Sequence, residues 1–386
     1  MTADYLVIGA GLYGAVTARR LADAGHTVRV IERHPGIGGL CRTSVHHLTG
    51  ERYNPHGTHV LTTSDAGVMR FLTRFAQFDS HRYTVQAVAG DRQVPMPIGL
   101  AAVRACYGDD VTTEQAQRIL DQATAAYRDK PAATVQDAAL GIFGPRLYET
   151  FVRGYVEKQW GSDPAELSAE VITSRFRLDL SDRGFFPDCL WQAVPRLGYT
   201  ALLERMFSHP QITVTTDFRS DPDNLPAFRT GCVHTEPIDE FFGCRLGVLT
   251  RRYAHIVWTS APGIADQGTV VTTHPGRDVP YYRVHQPRHL PWNRCMTGSG
   301  PRLTGYEFGG LPEPGTDAPT VTFVQRTFIN EALAARYRQL ATHLPGHVFA
   351  GRGTTFYDDM AATVNAATAF TADLLAGDEG RRAAVP

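Results

Sequence analysis

Gly9, Gly11 and Gly14, set between a short apolar run and a helix-forming stretch, have the type and spacing that point most directly to chemistry. Tyr5 to Ile8 suits a buried parallel strand, and Ala15 to Ala24 has helix-forming composition. Glycines in that order give a tight turn, close approach of backbone to a pyrophosphate, and close packing of helix on strand. The helix N-terminus then aims unpaired N–H groups and a positive dipole end at the phosphates. Thr27 to Ile31 reads as a second strand, closed by Glu32, 18 residues after Gly14. A carboxylate there can accept hydrogen bonds from an adenosine ribose and favours an unphosphorylated one, so FAD or NAD over NADP. A lone glycine triplet is weak evidence, but here strand, turn, helix, strand and acid fall in register.

A second glycine cluster, Gly36-Ile-Gly38-Gly39-Leu40-Cys41-Arg42, follows the acid. It resembles the extended flavin signature of glutathione-reductase-like enzymes, which moves the reading to noncovalently bound FAD. Beyond it, Tyr53-Asn-Pro55-His56-Gly57-Thr-His59 is a loop too rich in imidazole to be mere spacer. His59 reads equally as a loop imidazole satisfied by backbone groups or as a group with a chemical role. Tyr155 and Trp160 stand in the string Gly154-Tyr-Val-Glu157-Lys158-Gln-Trp-Gly161. For one aromatic alone, core packing is the ordinary reading. Arg177, Arg283 and Arg352 are far apart in sequence. A single arginine is most often solvated, whereas a diphosphate needs the charge-assisted, bidentate donors that arginine supplies.

The elements that must position these residues imply an α/β protein: a Rossmann-like FAD-binding domain with an inserted helical domain and an inserted antiparallel-sheet domain. Residues 1–80, 200–245 and 346–378 are expected to form the first. Residues 96–165 change to Ala-rich helical character, with Thr113 and Thr134 as N-caps and breaks at Gly108, Pro131 and Gly144. Residues 81–95, 175–199 and 246–345 are expected to form the sheet domain, with a hairpin around Gly90-Asp91. At 386 residues the chain has room for two or three such units.

A formal net charge of −1 gives no argument for nucleic acid or a membrane surface as partner. Arginine nearly replaces lysine, which occurs only at Lys130 and Lys158. The six cysteines are scattered without a CxxC pair, so neither a metal site nor a disulfide framework is expected. With a strand at the N-terminus and no apolar run of about 20 residues, no signal peptide or membrane span is expected, and a cytoplasmic location is.

Together with the glycine unit, the Gly154–Gly161 string makes the chain resemble the bacterial UDP-galactopyranose mutase family. The likeness runs in order through the Gly57–His59 loop, Val94–Pro97, Val194-Pro195, Gly198–Thr200 and Pro237-Ile-Asp239. It continues through Val279-Pro280-Tyr281 with Arg283, and through Gly351-Arg352 with Tyr357 and Asp359-Met360. The resemblance implies a FAD enzyme, active when reduced, that interconverts pyranose and furanose forms of a nucleotide-diphosphate sugar through an adduct at flavin N5. It implies NAD(P)H or another reductant and a homodimer.

By the same resemblance, Arg283, His59, Trp160 and Arg177 stand at the chemistry. Tyr155 stacks on the base, Trp160 walls the sugar, Arg177 and Arg283 meet the diphosphate, and Phe185, Tyr357 and Asp359 line the sugar pocket. Gly9, Gly11, Tyr13, Gly14, Glu32, Arg33, Gly39, Leu40, His56, Gly57, His59, Arg352, Asp359 and Met360 are implied at the cofactor. No residue reads as a protein nucleophile or dedicated base, which agrees with a cofactor that does the covalent work.

The chain departs from the family at several places. Thr62 stands where a second histidine is expected three residues after the first, and Phe185 where a tyrosine is. A tyrosine pair expected between about 310 and 325 is absent, and Gly305-Tyr306-Glu307 occupies the place of an arginine, with Arg302 nearby. These positions contact diphosphate and sugar, so altered substrate recognition is expected, the substrate being UDP-galactose or a related nucleotide sugar such as a 6-deoxyhexose or pentose nucleotide. Two other readings stand beside this one: a flavin oxidoreductase of amine-oxidase or desaturase type on the same fold, and a nucleotide-sugar binder without chemistry.

Overall fold

The computed structural model describes residues 2–169, 177–181, 183–296, 300–310, 320–325, 327–351 and 359–383. Five parallel strands form the nucleotide-side sheet in the order β10 (Ile212–Thr215), β2 (Val28–Ile31), β1 (Ala3–Ile8), β11 (Phe228–His234) and β17 (His347–Phe349). The apolar run Tyr5–Ile8 of central β1 is buried, as fits a strand covered on both faces. On one face lies α1 (Leu12–Asp23), whose Ala15, Ala18 and Ala22 are small enough to let it sit tight on Tyr5, Val7 and Val30. Helices α2 (Ala66–Leu72), α7 (Tyr199–Phe207) and α10 (Met360–Ala383) share that core. The other face buries Leu6, Ile8, Ile31 and Cys232 against Phe218, Leu225 and Phe228.

Four helices follow one another in the middle of the chain: α3 (Leu100–Tyr107), α4 (Thr113–Thr124), α5 (Val135–Leu147) and α6 (Gly154–Trp160). Thr112, not Thr113, caps α4, in a capping box with Gln115. Adjacent threonines look alike in sequence, and only the outer one has the extended backbone that a cap requires. Thr134 caps α5 as expected, and Gly144, at φ 72°, kinks it. A π-helical turn at Tyr148–Arg153 leads into α6.

A seven-stranded sheet runs in the order β16 (Thr320–Val324), β12 (Arg251–Thr259), β15 (Thr304–Gly309), β14 (Arg283–His285), β13 (Val271–Thr273), β7 (Val85–Ala89), β8 (Arg92–Met96). It is antiparallel except between β7 and β13, which run parallel. A three-stranded sheet of β5 (Leu61–Thr63), β9 (Trp191–Pro195) and β6 (Phe78–Ser80), and a short pair β3 (Ser44–Val45) with β4 (Arg52–Tyr53), complete the strands among the described residues. The small helix α8 (Ile238–Phe241) packs with α9 (Phe328–Ala341) around Ile238, Leu249 and Tyr337. Among the described residues, no helix is long and apolar enough to cross a membrane.

Candidate active site

The chain turns from β1 into α1 through the first glycine cluster, at the C-terminal ends of the parallel strands. Gly9 is at φ 105°, and a Cβ on Gly14 would overlap the carbonyl oxygen of Gly9. Only hydrogen at Gly14 lets the helix approach its strand this closely. The second cluster folds back onto the first. Gly38 N donates to Ala10 O at 3.0 Å, and Gly39 lies against Gly11. Gly39, Leu40 and Cys41 form a 3₁₀ turn.

Glu32 is buried, and its carboxylate bridges the turns: Oε2 accepts from Ala10 N and Oε1 from His34 N, each at 2.9 Å. It thus fixes the floor of the cradle, and a carboxylate so placed retains lone pairs for a ribose hydroxyl. Arg33, expected at the cofactor, is half exposed and reaches away to Glu240 at 3.6 Å. Tyr13 is buried under the segment after β17, where Gly351 packs on its ring. Asp359 caps α10, Oδ1 accepting from Ala362 N at 2.8 Å, and Met360 packs on the α1 core. Arg352 and Tyr357 lie outside the described residues.

The imidazole loop crosses between this cradle and the seven-stranded sheet. Trp258 of β12 donates Nε1–H to Pro55 O at 3.2 Å, and Gly57 lies against Ile256 and His285. The Nδ1 of His56 is buried without a hydrogen-bond partner, and burial with the nearby charges of Arg42 and His34 pushes its pKa down to about 4. His59 turns its Nδ1 to the carbonyl of Gly57, and Asn54 Oδ1 accepts from its backbone N–H. Thr62 lies on β5, paired with Gln192.

On the far side of the loop, a polar chain converges on Arg283. Thr58 Oγ1 is 3.0 Å from His285 Nδ1, and His285 Nε2 is 3.0 Å from Glu307 Oε2. Glu307 also accepts from Tyr282 OH at 2.5 Å and faces Arg283 Nη1 at 3.4 Å. Arg283 Nη2 donates to Tyr155 OH at 2.5 Å. Strand register explains the meeting, since Arg283 on β14 stands opposite Glu307 on β15. Burial alone would raise the Glu307 carboxyl, yet Arg283, with the hydrogen bonds from His285 and Tyr282, holds it well below the usual carboxylate range. Burial opposes the charge on Arg283 too, but Tyr155 and Glu307 hold it firmly protonated.

The helical unit anchors this network. Tyr282 is fully buried in the helical core, edge-on to Tyr155. A Cβ on Gly154 would overlap Pro275 O, and one on Gly309 would overlap Lys158 O, so α6 touches the loop between β13 and β14 and the strand β15 through backbone. Lys158 Nζ donates to the carbonyls of His274, Gly276 (2.6 Å), Val279 (3.2 Å) and Tyr281 (3.0 Å), and burial draws its pKa down to about 8. This lysine clamps the loop that leads into Arg283.

Tyr155 is buried beneath Arg283 with its hydroxyl engaged. Trp160 is half buried at the end of α6, with the Arg252 guanidinium 5.1 Å from its ring centroid. Arg177 faces Asp179 (3.4 Å) and Asp188 (3.8 Å), and Phe185 packs on Tyr83 and Phe186. Sequence reasoning missed Glu307, Tyr282, His285 and Thr58. Glu307 carried a signal, alternating with Tyr306 and Phe308 as strand residues do, but it was counted as a missing arginine.

A family model described as UDP-galactopyranose mutase matches residues 150–357, more than half of the chain. One for an NAD(P)-binding Rossmann-like domain matches residues 7–75. The chain is 28% identical over 367 residues to a probable UDP-galactopyranose mutase of Klebsiella pneumoniae, covering 94% of this chain and 92% of that one. It is 28% identical over 294 residues to the dTDP-fucopyranose mutase of Escherichia coli, covering 74% and 77%. The crystal structure of a reduced UDP-galactopyranose mutase shares the fold, with a TM-score of 0.73 at 15% identity over 97% of this chain and 94% of that one. A putrescine oxidase variant shares it at 0.60 and 10% identity over 97% and 99%.

Proposed function

The chain belongs to the UDP-galactopyranose mutase family, and from that premise we propose that it is an isomerase interconverting pyranose and furanose forms of a nucleotide-diphosphate sugar with FAD as cofactor. The residues fit a dinucleotide. Side chains are excluded from the turn by Thr235 at Gly9 and by the Gly9 carbonyl at Gly14, Glu32 closes the cradle, and His56 keeps an unpartnered buried nitrogen beside it. Reduced FAD would supply the nucleophile for the anomeric carbon, with NAD(P)H or another donor keeping it reduced, in a homodimer. Everything else falls to this chain's own groups.

One observation carries the proposal: the hydrogen-bonded chain from Thr58, in the loop beside the cradle, through His285 and Glu307 to Arg283. It joins the cofactor side to a guanidinium held at a fixed angle by Tyr155. The remaining N–H donors of Arg283 stabilise the nucleoside diphosphate as it leaves. Glu307 cancels much of the arginine's charge when the site is empty, so the cation is tolerated half buried until the diphosphate arrives. Arg177, Trp160, Tyr155, Tyr357, Asp359 and Arg352 complete the proposed site. With the names of the relatives pointing to galactose and to its 6-deoxy counterpart fucose, and with Phe185 offering no hydroxyl, a less hydroxylated sugar fits this site.

The test is to incubate the reduced protein with UDP-galactose, dTDP-fucose and pentose nucleotides and to separate ring isomers by chromatography. Isomerisation with catalytic reductant is expected, fastest in kcat/KM with the deoxy sugar. Stoichiometric consumption of reductant would replace the reading with an oxidoreductase, and binding without turnover would replace it with a sugar-nucleotide binder.

A further inference from the structure

On the face of the parallel sheet away from α1, three side chains of metal-binding type meet. Cys232 and His234 are two apart on β11, so strand alternation turns both to one face. His347 on the neighbouring parallel strand β17 stands in register with Cys232. Cys232 Sγ is 3.3 Å from His234 Nε2, which is 2.9 Å from His347 Nδ1, and all three donor atoms lie within 4.8 Å of one another. Cys232 and His234 are fully buried, while His347 is partly exposed and leaves a way in.

The surroundings orient the donors. Glu236 Oε1 sits 2.9 Å from His234 Nδ1 and is itself steadied by Ser220, whose hydroxyl donates to Oε2 at 3.1 Å. A carboxylate at Nδ1 keeps the proton there and turns the Nε2 lone pair toward the sulfur and His347. Phe349 and Phe241 pack on the His234 ring at 4.3 and 4.6 Å between centroids and exclude water.

We propose that Cys232, His234 and His347 bind a divalent transition-metal ion of the zinc type, with a fourth position open on the His347 side. One thiolate and two imidazoles form a nitrogen–sulfur set suited to zinc and unsuited to magnesium or calcium. A tetrahedral ion needs about 3.4 Å between two nitrogens and about 3.6 Å between sulfur and nitrogen, from bond lengths of about 2.0–2.1 and 2.3 Å. His234 Nε2 stands 3.3 Å from Cys232 Sγ and 2.9 Å from His347 Nδ1, closer than those spacings, as atoms sharing protons do, with the third pair within 4.8 Å. Binding releases the thiol proton and moves the proton of His347 from Nδ1 to Nε2, and a small turn of His347 supplies the space. The ion would join β17 to β11, just before Gly351 meets Tyr13 beside the glycine cradle.

The experiment uses the full chain with its flavin, stripped with a chelator, reloaded with zinc alone and dialysed. Elemental analysis is expected to give one zinc per chain, and zinc-edge X-ray absorption one sulfur at about 2.3 Å with nitrogens at about 2.0–2.1 Å. Cys232→Ser and His347→Ala should lose the ion. Glu236→Gln keeps all three ligands and should weaken zinc by about 10- to 100-fold. No stoichiometric uptake by the wild type, uptake unchanged in Cys232→Ser and His347→Ala, or a coordination shell without sulfur would overturn the proposal. Because His347 is partly exposed, its alanine variant tests the site even if the buried cysteine variant fails to fold.

Discussion

Around Gly14 the fold is fixed by backbone atoms that leave no room, whereas around Arg283 it is fixed by charges that must be matched. In the first region the parts come from some thirty consecutive residues and act by what they lack. In the second they come from positions 58, 155, 282, 283, 285 and 307 and act only together. The difference teaches where variation is tolerated. A packed backbone turn accepts no substitute, but a matched network can be rewritten if partners change jointly.

The largest effect should follow from adding a side chain at the turn. In Gly14→Val the new atoms overlap Gly9 O and press on Val7, which should cost about 3 kcal/mol or more. Purified protein should carry no flavin, judged by its flavin-to-protein absorbance ratio. A variant that stays yellow and stable would erase the distinction between the two regions.

Next comes the network. Arg283→Ala should lower kcat/KM by the equivalent of about 2–5 kcal/mol, much of it from stranding charges on substrate and on Glu307, while flavin content stays normal. Adding Glu307→Gln should restore part of the lost stability and none of the activity, because the two residues are coupled. Additive losses in denaturant melts would show the pair to be independent.

Acid should separate the regions by pH. His56, pushed down to about 4 when folded, is neutral in the native state and charges more readily in the unfolded chain. Stability it contributes is therefore present above about pH 6.5 and lost as pH falls toward 4. Glu307, depressed instead, contributes stability above the ordinary carboxylate range that disappears only in stronger acid. Thermal melts should show Tm falling between about pH 6.5 and 4, less so in His56→Gln. A Tm that rises over that window would contradict the assignment.

The smallest effects are expected at sites that neither region constrains tightly. Phe185→Tyr should change KM by no more than about 1 kcal/mol equivalent, since its neighbours are aromatic rings. Gly36→Ala, whose Cβ would meet only the Arg42 side chain at ordinary distance, should stay within about 0.5 kcal/mol of wild type in denaturant melts.

The same contrast explains what could be read from the residues in order. The run from Tyr5 to Glu32 declares strand, turn, helix, strand and acid within one local stretch, and the Rossmann-like unit was legible there. Arg283 was legible through the string that surrounds it. Glu307 was not, because its meaning comes from standing opposite Arg283 across two strands, and a one-dimensional comparison records it only as an arginine lost. Thr112 was missed as a cap because its neighbour is also threonine. Cys232 and His347 were missed as neighbours because more than a hundred residues separate two strands that lie side by side.

The helix α10 packs against α1 near the start of the chain, and β17 closes the sheet edge beside β11. On the ribosome this becomes a matter of timing. At about 5–20 residues per second, tens of seconds pass between the emergence of α1 and that of the helix that covers it. Through that interval the apolar flank of the nascent nucleotide unit has no permanent cover, and its sheet lacks an outer strand. The oldest part of the chain is among the last to be finished, which places the greatest demand for chaperone protection at the N-terminal end.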